Sequence, residues 1–504
     1  MLKKIFLLVA ANLFLLAQVK SDSLKEKDYD ITRYGAKSNS EVLNTKAIQK
    51  TIDAAADAGG GKVIVPEGTF LTGSVILKSN VELHIQKGGT LLGSTKVEDY
   101  TRLKRRMALI LADHQENISI TGEGVIDGQG RELALYIDSL FYVGKLEPRL
   151  YNRSRKRPNE GARPEIIEMV KCKNIQIKGV TIKDGACWLQ TYDRCEDLVM
   201  DSIRVESDAY WNNDGIDVSD CKNVRITNSY VNSADDGICL KSHTEGCWND
   251  NIHIENCTVR SSANAVKFGT VSRGGFKNVV IKNIRVFDTF RSAIAIESVD
   301  GGCLENVLVD GINATNTGNA ILVRLGHRNK GDVGTLRNVT LKNIKVEVPF
   351  DRPDKNYELR GPDLSVLHNP IPSSITGIPG HCVENVTLEN IEIIFPGRGN
   401  KGMAIIPLDR LDDVPEQETA YPEFSMFGEL PAWGFYVRHV KGLKMKNVSV
   451  KAMAKDFRPA FVFDDVNGLN LQDIDVQGGE NMPHIILKDV KVEYLSVDKK
   501  LLQQ

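Results

Sequence analysis

An asparagine followed by alternating apolar residues returns along this chain at a nearly constant interval. The first clear copy is Asn117-Ile-Ser-Ile. It recurs at Asn174-Ile-Gln-Ile, Asn223-Val-Arg-Ile, Asn251-Ile-His-Ile, Asn278-Val-Val-Ile, Asn306-Val-Leu-Val, Asn338-Val-Thr-Leu and Asn385-Val-Thr-Leu, with variants at Asp197, Gly442 and Gly468. Between residues 174 and 306 the copies lie 23, 26, 28, 27 and 28 residues apart. A period of two describes strands with one inward face. A unit of this length, all strand and no helix, buries its apolar face by stacking on its neighbours as a parallel β-helix. Successive turns then lie about 4.8 Å apart, with Ile, Val and Leu stacked inside and the asparagine amides bonded from turn to turn. A leucine-rich repeat would show more leucines and a helical half. A β-propeller blade needs four strands, more than each unit can hold.

The ends of such a stack need covers. Asn44 or Thr45 is placed to cap a short helix carrying Ile48, Ile52 and Ala56, which Gly59-Gly-Gly61 stops. We expect residues 28–70 to cap the stack and a closing strand to begin near residue 485. Three longer stretches, 131–165, 349–383 and 396–436, break the rhythm and are expected as loops walling a groove. The first of them carries Arg131, Arg149, Arg153, Arg155, Lys156, Arg157 and Arg163. No linker interrupts residues 22–504, which read as one domain.

Residues 1–21 have the form of a secretory signal: Met-Leu-Lys-Lys, an apolar run from Ile5 to Ala17, and small residues around Val19-Lys20-Ser21. The run is too short to span a membrane. We expect an exported protein, periplasmic or extracellular, not inserted in a membrane. Charged residues make up 26% of the 504, yet the net charge is only -2, which gives no general reason to bind nucleic acid. The nine cysteines, irregularly spaced, suggest neither a disulfide framework nor a metal site, and buried thiols are expected. Cys239 with Cys257, or Cys187 with Cys195, remain as pairs that an oxidising compartment would permit. No metal, no cofactor and a monomeric state are expected.

Within the repeats lie Trp211-Asn-Asn-Asp-Gly-Ile-Asp217 and Ser233-Ala-Asp-Asp-Gly-Ile-Cys-Leu-Lys-Ser242. They crowd Asp214, Asp217, Asp235 and Asp236 into 23 residues. Carboxylates in apolar surroundings repel one another and lose solvation. Glycoside hydrolysis uses such a group, one carboxyl protonated and another ionised. Asp236 follows Asp214 by 22 residues, close to one turn, so the two are expected on adjacent turns. Turn aspartates or calcium ligands are the competing explanations.

These two motifs, with Gly122-Glu-Gly-Val-Ile-Asp-Gly-Gln-Gly130 and the segment Tyr34 to Thr69, resemble family 28 of the glycoside hydrolases, the polygalacturonase family. The resemblance implies a right-handed parallel β-helix and hydrolysis with inversion. It implies Asp235 as general acid, with Asp214 and Asp236 holding and deprotonating the attacking water. It also exposes departures. Asn264 stands where that family carries a His. Ala295 and Glu297 stand where it carries the Arg-x-Lys that grips a uronate, and Glu297 would repel one. Candidate substrate-binding residues are then Asn212, Asp217, Lys241, Asn264, Lys267, Arg291, Glu297 and Arg324, with Arg273 as a further cation. Trp188, one turn before Asp214, offers a stacking platform for sugar, as do Trp211 and Trp433, Phe435 and Tyr436. His327 reads as a turn residue. The expected partner is a pectic poly- or oligosaccharide, cleaved by a polygalacturonase-like enzyme with action from a chain end as one of its modes, or a rhamnogalacturonan or other uronic-acid glycan. A β-helix lyase or a non-catalytic carbohydrate-binding protein is the alternative.

Overall fold

A computed structural model describes residues 27–357, 370–403, 408–480 and 483–503. The expected signal segment, 1–21, and parts of the two later loops lie outside these residues. The chain winds into a parallel β-helix. Each central turn carries three strands, for example Lys222–Thr227, Tyr230–Ser233 and Ile238–Ser242. Each pairs in parallel with its counterpart a turn later: Asn249–Glu255, Thr258–Ser261 and Val266–Ser272.

The repeat's first apolar position forms a column through the interior. Ile118, Ile175, Leu198, Val224, Ile252, Val279, Val307, Val339, Val386, Leu443 and Leu469 pair in register from turn to turn. All are buried, and one continuous apolar core runs from Ile31 to Ile485. Exclusion of these side chains from water is the main drive for the coil.

The asparagines bond as expected. The Asn251 amide donates to Asn223 at 2.9 Å, Asn306 to Asn278 at 3.3 Å, Asn338 to Asn306 at 3.2 Å and Asn385 to Asn338 at 3.1 Å. Each takes a left-handed φ, from 54° to 59°, which turns the coil's corner. Asn tolerates that region better than β-branched residues, so one residue type serves both corner and ladder.

Helix α1, Thr45–Asp57, covers the first turns and buries Ile48, Ile52 and Ala55. Asn44 occupies its N-cap position, but its side chain makes no cap bond; it ties Lys37 and Val42 instead. Ile485–Ser496 is the closing strand near the other end. Two expected loops contain regular structure. Helix α2, Gly130–Tyr142, fills the start of 131–165, burying Leu133, Ala134, Ile137 and Leu140 at helical spacing. Strand Ser373–Thr376 joins the coil between Leu322–Arg324 and Phe435–Arg438. No helix among the described residues is long and apolar enough to cross a membrane.

All nine cysteines are free thiols, most of them buried; Cys239 and Cys257 do not pair, nor do Cys187 and Cys195. Trp433, Phe435 and Tyr436 are core residues rather than a sugar platform, at most 1% exposed. His327 caps its own turn, with Nε2 2.9 Å from the Gly331 carbonyl.

Candidate active site

Two successive turns present Asp214 and then Asp235 and Asp236 just ahead of a strand on one face, with Asp217 inside the first strand, and a third turn presents Asn264 at the same place. The Leu189 N–H donates to the Asp214 carbonyl at 3.0 Å, Gly215 to Asp236 at 2.9 Å and Gly237 to Asn264 at 2.8 Å. Trp188, Asp214, Asp236 and Asn264 therefore form one column, as the spacing predicts. The glycine after each acid permits this approach. A Cβ on Gly215 would stand 2.6 Å from the Gly237 carbonyl, and one on Gly237 2.6 Å from that of Ala265.

Lys241 lies between two carboxylates, its Nζ 2.7 Å from both Asp214 Oδ2 and Asp217 Oδ1. Burial opposes the ammonium, but these two charges outweigh it and raise its pKa well above the ordinary value. Burial raises the Asp214 and Asp217 carboxyls while Lys241 opposes. Asp236 is treated differently. Burial works against its charge, yet Lys267 at 3.1 Å, Arg291 and Asn264 prevail and hold its pKa below the ordinary value. Asn264 donates its N–H at 3.1 Å and its amide at 2.8 Å to Asp236 Oδ1, and accepts from the Ser292 N–H at 3.2 Å.

Asp235 is the one member of the group that keeps surface open to the groove. Burial raises its pKa, the charge of Asp236 adds to this, and Arg291 and Lys267 oppose. Neighbouring carboxyls are thus pushed in opposite directions, one toward holding a proton and one toward losing it. Oxygens of Asp214 and Asp236 and the Cys239 sulfur lie within 4.8 Å of one another. That spacing lets one water bond both acids. A cation could span the same atoms, but the Lys241 and Lys267 ammoniums already supply the positive charge there.

The substrate-binding candidates divide. Asn212 lies beside the acid; its amide reaches toward Asp235 Oδ2 at 3.5 Å and its carbonyl accepts from Arg163 at 2.8 Å. Trp188 is half-buried, with Arg106 4.4 Å and Lys241 4.7 Å from its ring centre. Lys267 pairs in register with Ala295, so it places an ammonium one turn before the position where the cation is absent. Glu297 does not confront the groove as a charge. It is 0% exposed, neither oxygen has a hydrogen-bond partner, and burial pushes its pKa up to about 8. Arg324 does not serve as a groove cation. It donates to the carbonyls of Gly377 at 2.8 Å, Glu416 at 2.8 Å and Gln417 at 3.1 Å, pinning a loop to the coil. Arg273 is exposed just after the strand Val266–Ser272 that carries Lys267.

Sequence reasoning missed the residues that cover the site. From the stretch 396–436, the Tyr421 hydroxyl lies 3.1 Å from Lys267 Nζ, and Glu423 lies 3.4 Å from Arg291. It also missed Glu165 and Glu168, two turns before Asp217 in the same sheet. Burial pushes Glu165 up to about 8 and Glu168 up to about 7, with Arg106 opposing. The signal was present: Glu165-Ile-Ile-Glu-Met-Val170 sets acids within an apolar strand.

Residues 57–350 match the profile of the glycosyl hydrolases family 28. The chain is 24% identical over 406 residues to a probable polygalacturonase of Vitis vinifera, covering 73% of this chain and 75% of that one. It is 25% identical over 381 residues to an exo-poly-alpha-D-galacturonosidase of Dickeya chrysanthemi, covering 64% of this chain and 62% of that one. The Yersinia enterocolitica family 28 exopolygalacturonase shares the fold, with a TM-score of 0.62 at 18% identity over 90% of this chain and 78% of that one. The profile match makes this coil a glycoside hydrolase. The chain belongs to the glycosyl hydrolases family 28, and is a polygalacturonase-like enzyme acting on polysaccharide. That membership displaces the lyase and the non-catalytic readings.

Proposed function

We propose that this protein is an exported, inverting hydrolase that releases sugar from the end of a pectic galacturonan chain. The opposed environments of Asp235 and Asp236 carry the reading. Asp235, open to the groove with its proton retained, donates to the departing glycosidic oxygen. Asp236, ionised under Lys267 and Asn264, takes a proton from a water shared with Asp214, and that water attacks the anomeric carbon from the opposite face. Lys241 and Lys267 keep the acids from neutralising one another.

Action at a chain end is supported by the covering loop. Beyond Lys267, Tyr421, Glu423 and the pinned carbonyls of Glu416 and Gln417 lie across the turns that would extend the groove. The names of relatives that are exo-acting galacturonidases agree with this. Ala295 in place of a uronate-gripping cation favours a second substrate, rhamnogalacturonan, in which a neutral sugar adjoins the cleaved bond. Incubation with both polymers, followed by chromatography and anomeric NMR of the first products, tests these points. A monosaccharide of inverted configuration is expected. A retained configuration, or an unsaturated product, overturns the proposal.

A further inference from the structure

Beside the acids stands a charged hairpin that they do not use. Tyr151–Asn152 and Arg157–Pro158 pair as an antiparallel hairpin. Asn152 Oδ1 accepts from the Ser154 hydroxyl at 2.8 Å and the Arg155 N–H at 3.0 Å, which fixes the turn. The tip holds Arg153, Arg155 and Lys156, all exposed, and Arg149 stands exposed ahead of them. Among the described residues, no carboxylate forms an ion pair with any of these four. Aromatic rings back the hairpin. Phe141 and Tyr151 stack at 3.7 Å, and Tyr142, 70% exposed, meets Phe141 edge-on at 5.5 Å.

The root of the hairpin reaches the catalytic acid. Arg157 lies 4.7 Å over the Trp211 ring and donates to Asn212 Oδ1 at 3.4 Å. Asn212 in turn reaches toward Asp235 Oδ2 at 3.5 Å. By contrast, the cations near the acids are already engaged. Lys241 serves Asp214 and Asp217, Lys267 serves Asp236, and Arg291 faces Glu423. A polyanionic chain reaching Asp235 meets its free positive charge at the hairpin.

We propose that the hairpin tip is a binding subsite for acid-bearing polysaccharide, holding uronate units of the chain whose reacting bond lies at Asp235. It rests on the reading of the protein as a pectic hydrolase. Exposed cations each contribute little in water, but several along one polyanion add, and Tyr142 offers a ring to a sugar face.

The test is binding in an Asp235→Asn background, so that the polymer survives. Arg153, Arg155 and Lys156 are replaced together by Gln, and affinity electrophoresis is run with polygalacturonate and with its fully methyl-esterified, uncharged form. The hairpin variant should bind polygalacturonate about tenfold more weakly, with the esterified polymer unaffected and the salt dependence reduced. Equal affinity for polygalacturonate with and without the cations overturns the subsite, as does an equal loss on both polymers. Hydrolysis is assayed separately with Asp235 intact. An unmodified enzyme that cleaves no galacturonan overturns the functional reading, while the binding comparison still decides the hairpin.

Discussion

At the scale of single residues, charge and burial divide the labour among the acids. Lys267 is 1% exposed and, together with Arg291 and Asn264, outweighs the burial of Asp236. Lys267→Met should raise the Asp236 pKa, so that a base that must be ionised is lost at higher pH. The acid limb of the kcat/KM profile should move upward, and an unmoved limb would show that Asp236 is not the base. Breaking this buried pair should also cost about 3–5 kcal/mol of stability. Glu165 and Glu297 make a different prediction. Both ionise ordinarily at 4.5 but hold their protons to about 8 in the fold. Between those values the native state binds the more protons, so stability falls as pH rises, by about 1.4 kcal/mol per pH unit for each group. Urea unfolding at several pH values should give a visibly flatter slope for Glu297→Gln. An unchanged slope would mean that Glu297 is ionised in the native protein.

At the scale of elements, the asparagine corner does two jobs that substitution can separate. Asn306 has a φ of 59° and bonds the turns on both sides. Asn306→Ala loses both bonds and keeps an unfavourable backbone, and should cost about 2 kcal/mol. Asn306→Gly keeps the corner and should cost less; thermal unfolding that ranks the two the other way would refute the ladder's role. The ladder was legible because the period of the sequence is the period of the structure. The same period set Asp214 over Asp236. Helix α2 was not legible, because its short amphipathic pattern opens a stretch dominated by arginines. Strand Ser373–Thr376 was hidden among prolines, and its strand identity comes from the edges of two neighbouring turns. Arg324 and Lys267 look alike in sequence. The path of a distant loop makes Arg324 a pin for backbone carbonyls, whereas register with the preceding turn makes Lys267 the partner of Asp236.

At the scale of the whole molecule, the proposed action at a chain end assigns the closing of the groove to the loop from Leu411 to Trp433. Its own apolar cluster, with Leu411, Val414, Phe427 and Leu430, packs on Tyr436 and Val462 of the coil. Removing Tyr421 and Glu423 together, by Ala substitution, should leave that cluster in place while clearing the groove beyond Lys267. Products should shift from monosaccharide toward longer oligomers, read by chromatography; an unchanged distribution would mean that the loop does not set the cleavage mode. Contacts of this kind join residues 154 positions apart, and no local pattern announces them.

The central claim is that Asp235 protonates the leaving group while Asp236 activates water. It is tested most directly by comparing Asp235→Asn and Asp236→Asn on a galacturonan oligomer and on an aryl galacturonide, whose phenolate departs without a proton. The account predicts that Asp235→Asn loses about a thousandfold on the oligomer and far less on the aryl substrate, while Asp236→Asn loses similarly on both. Equal losses on both substrates for Asp235→Asn would contradict it.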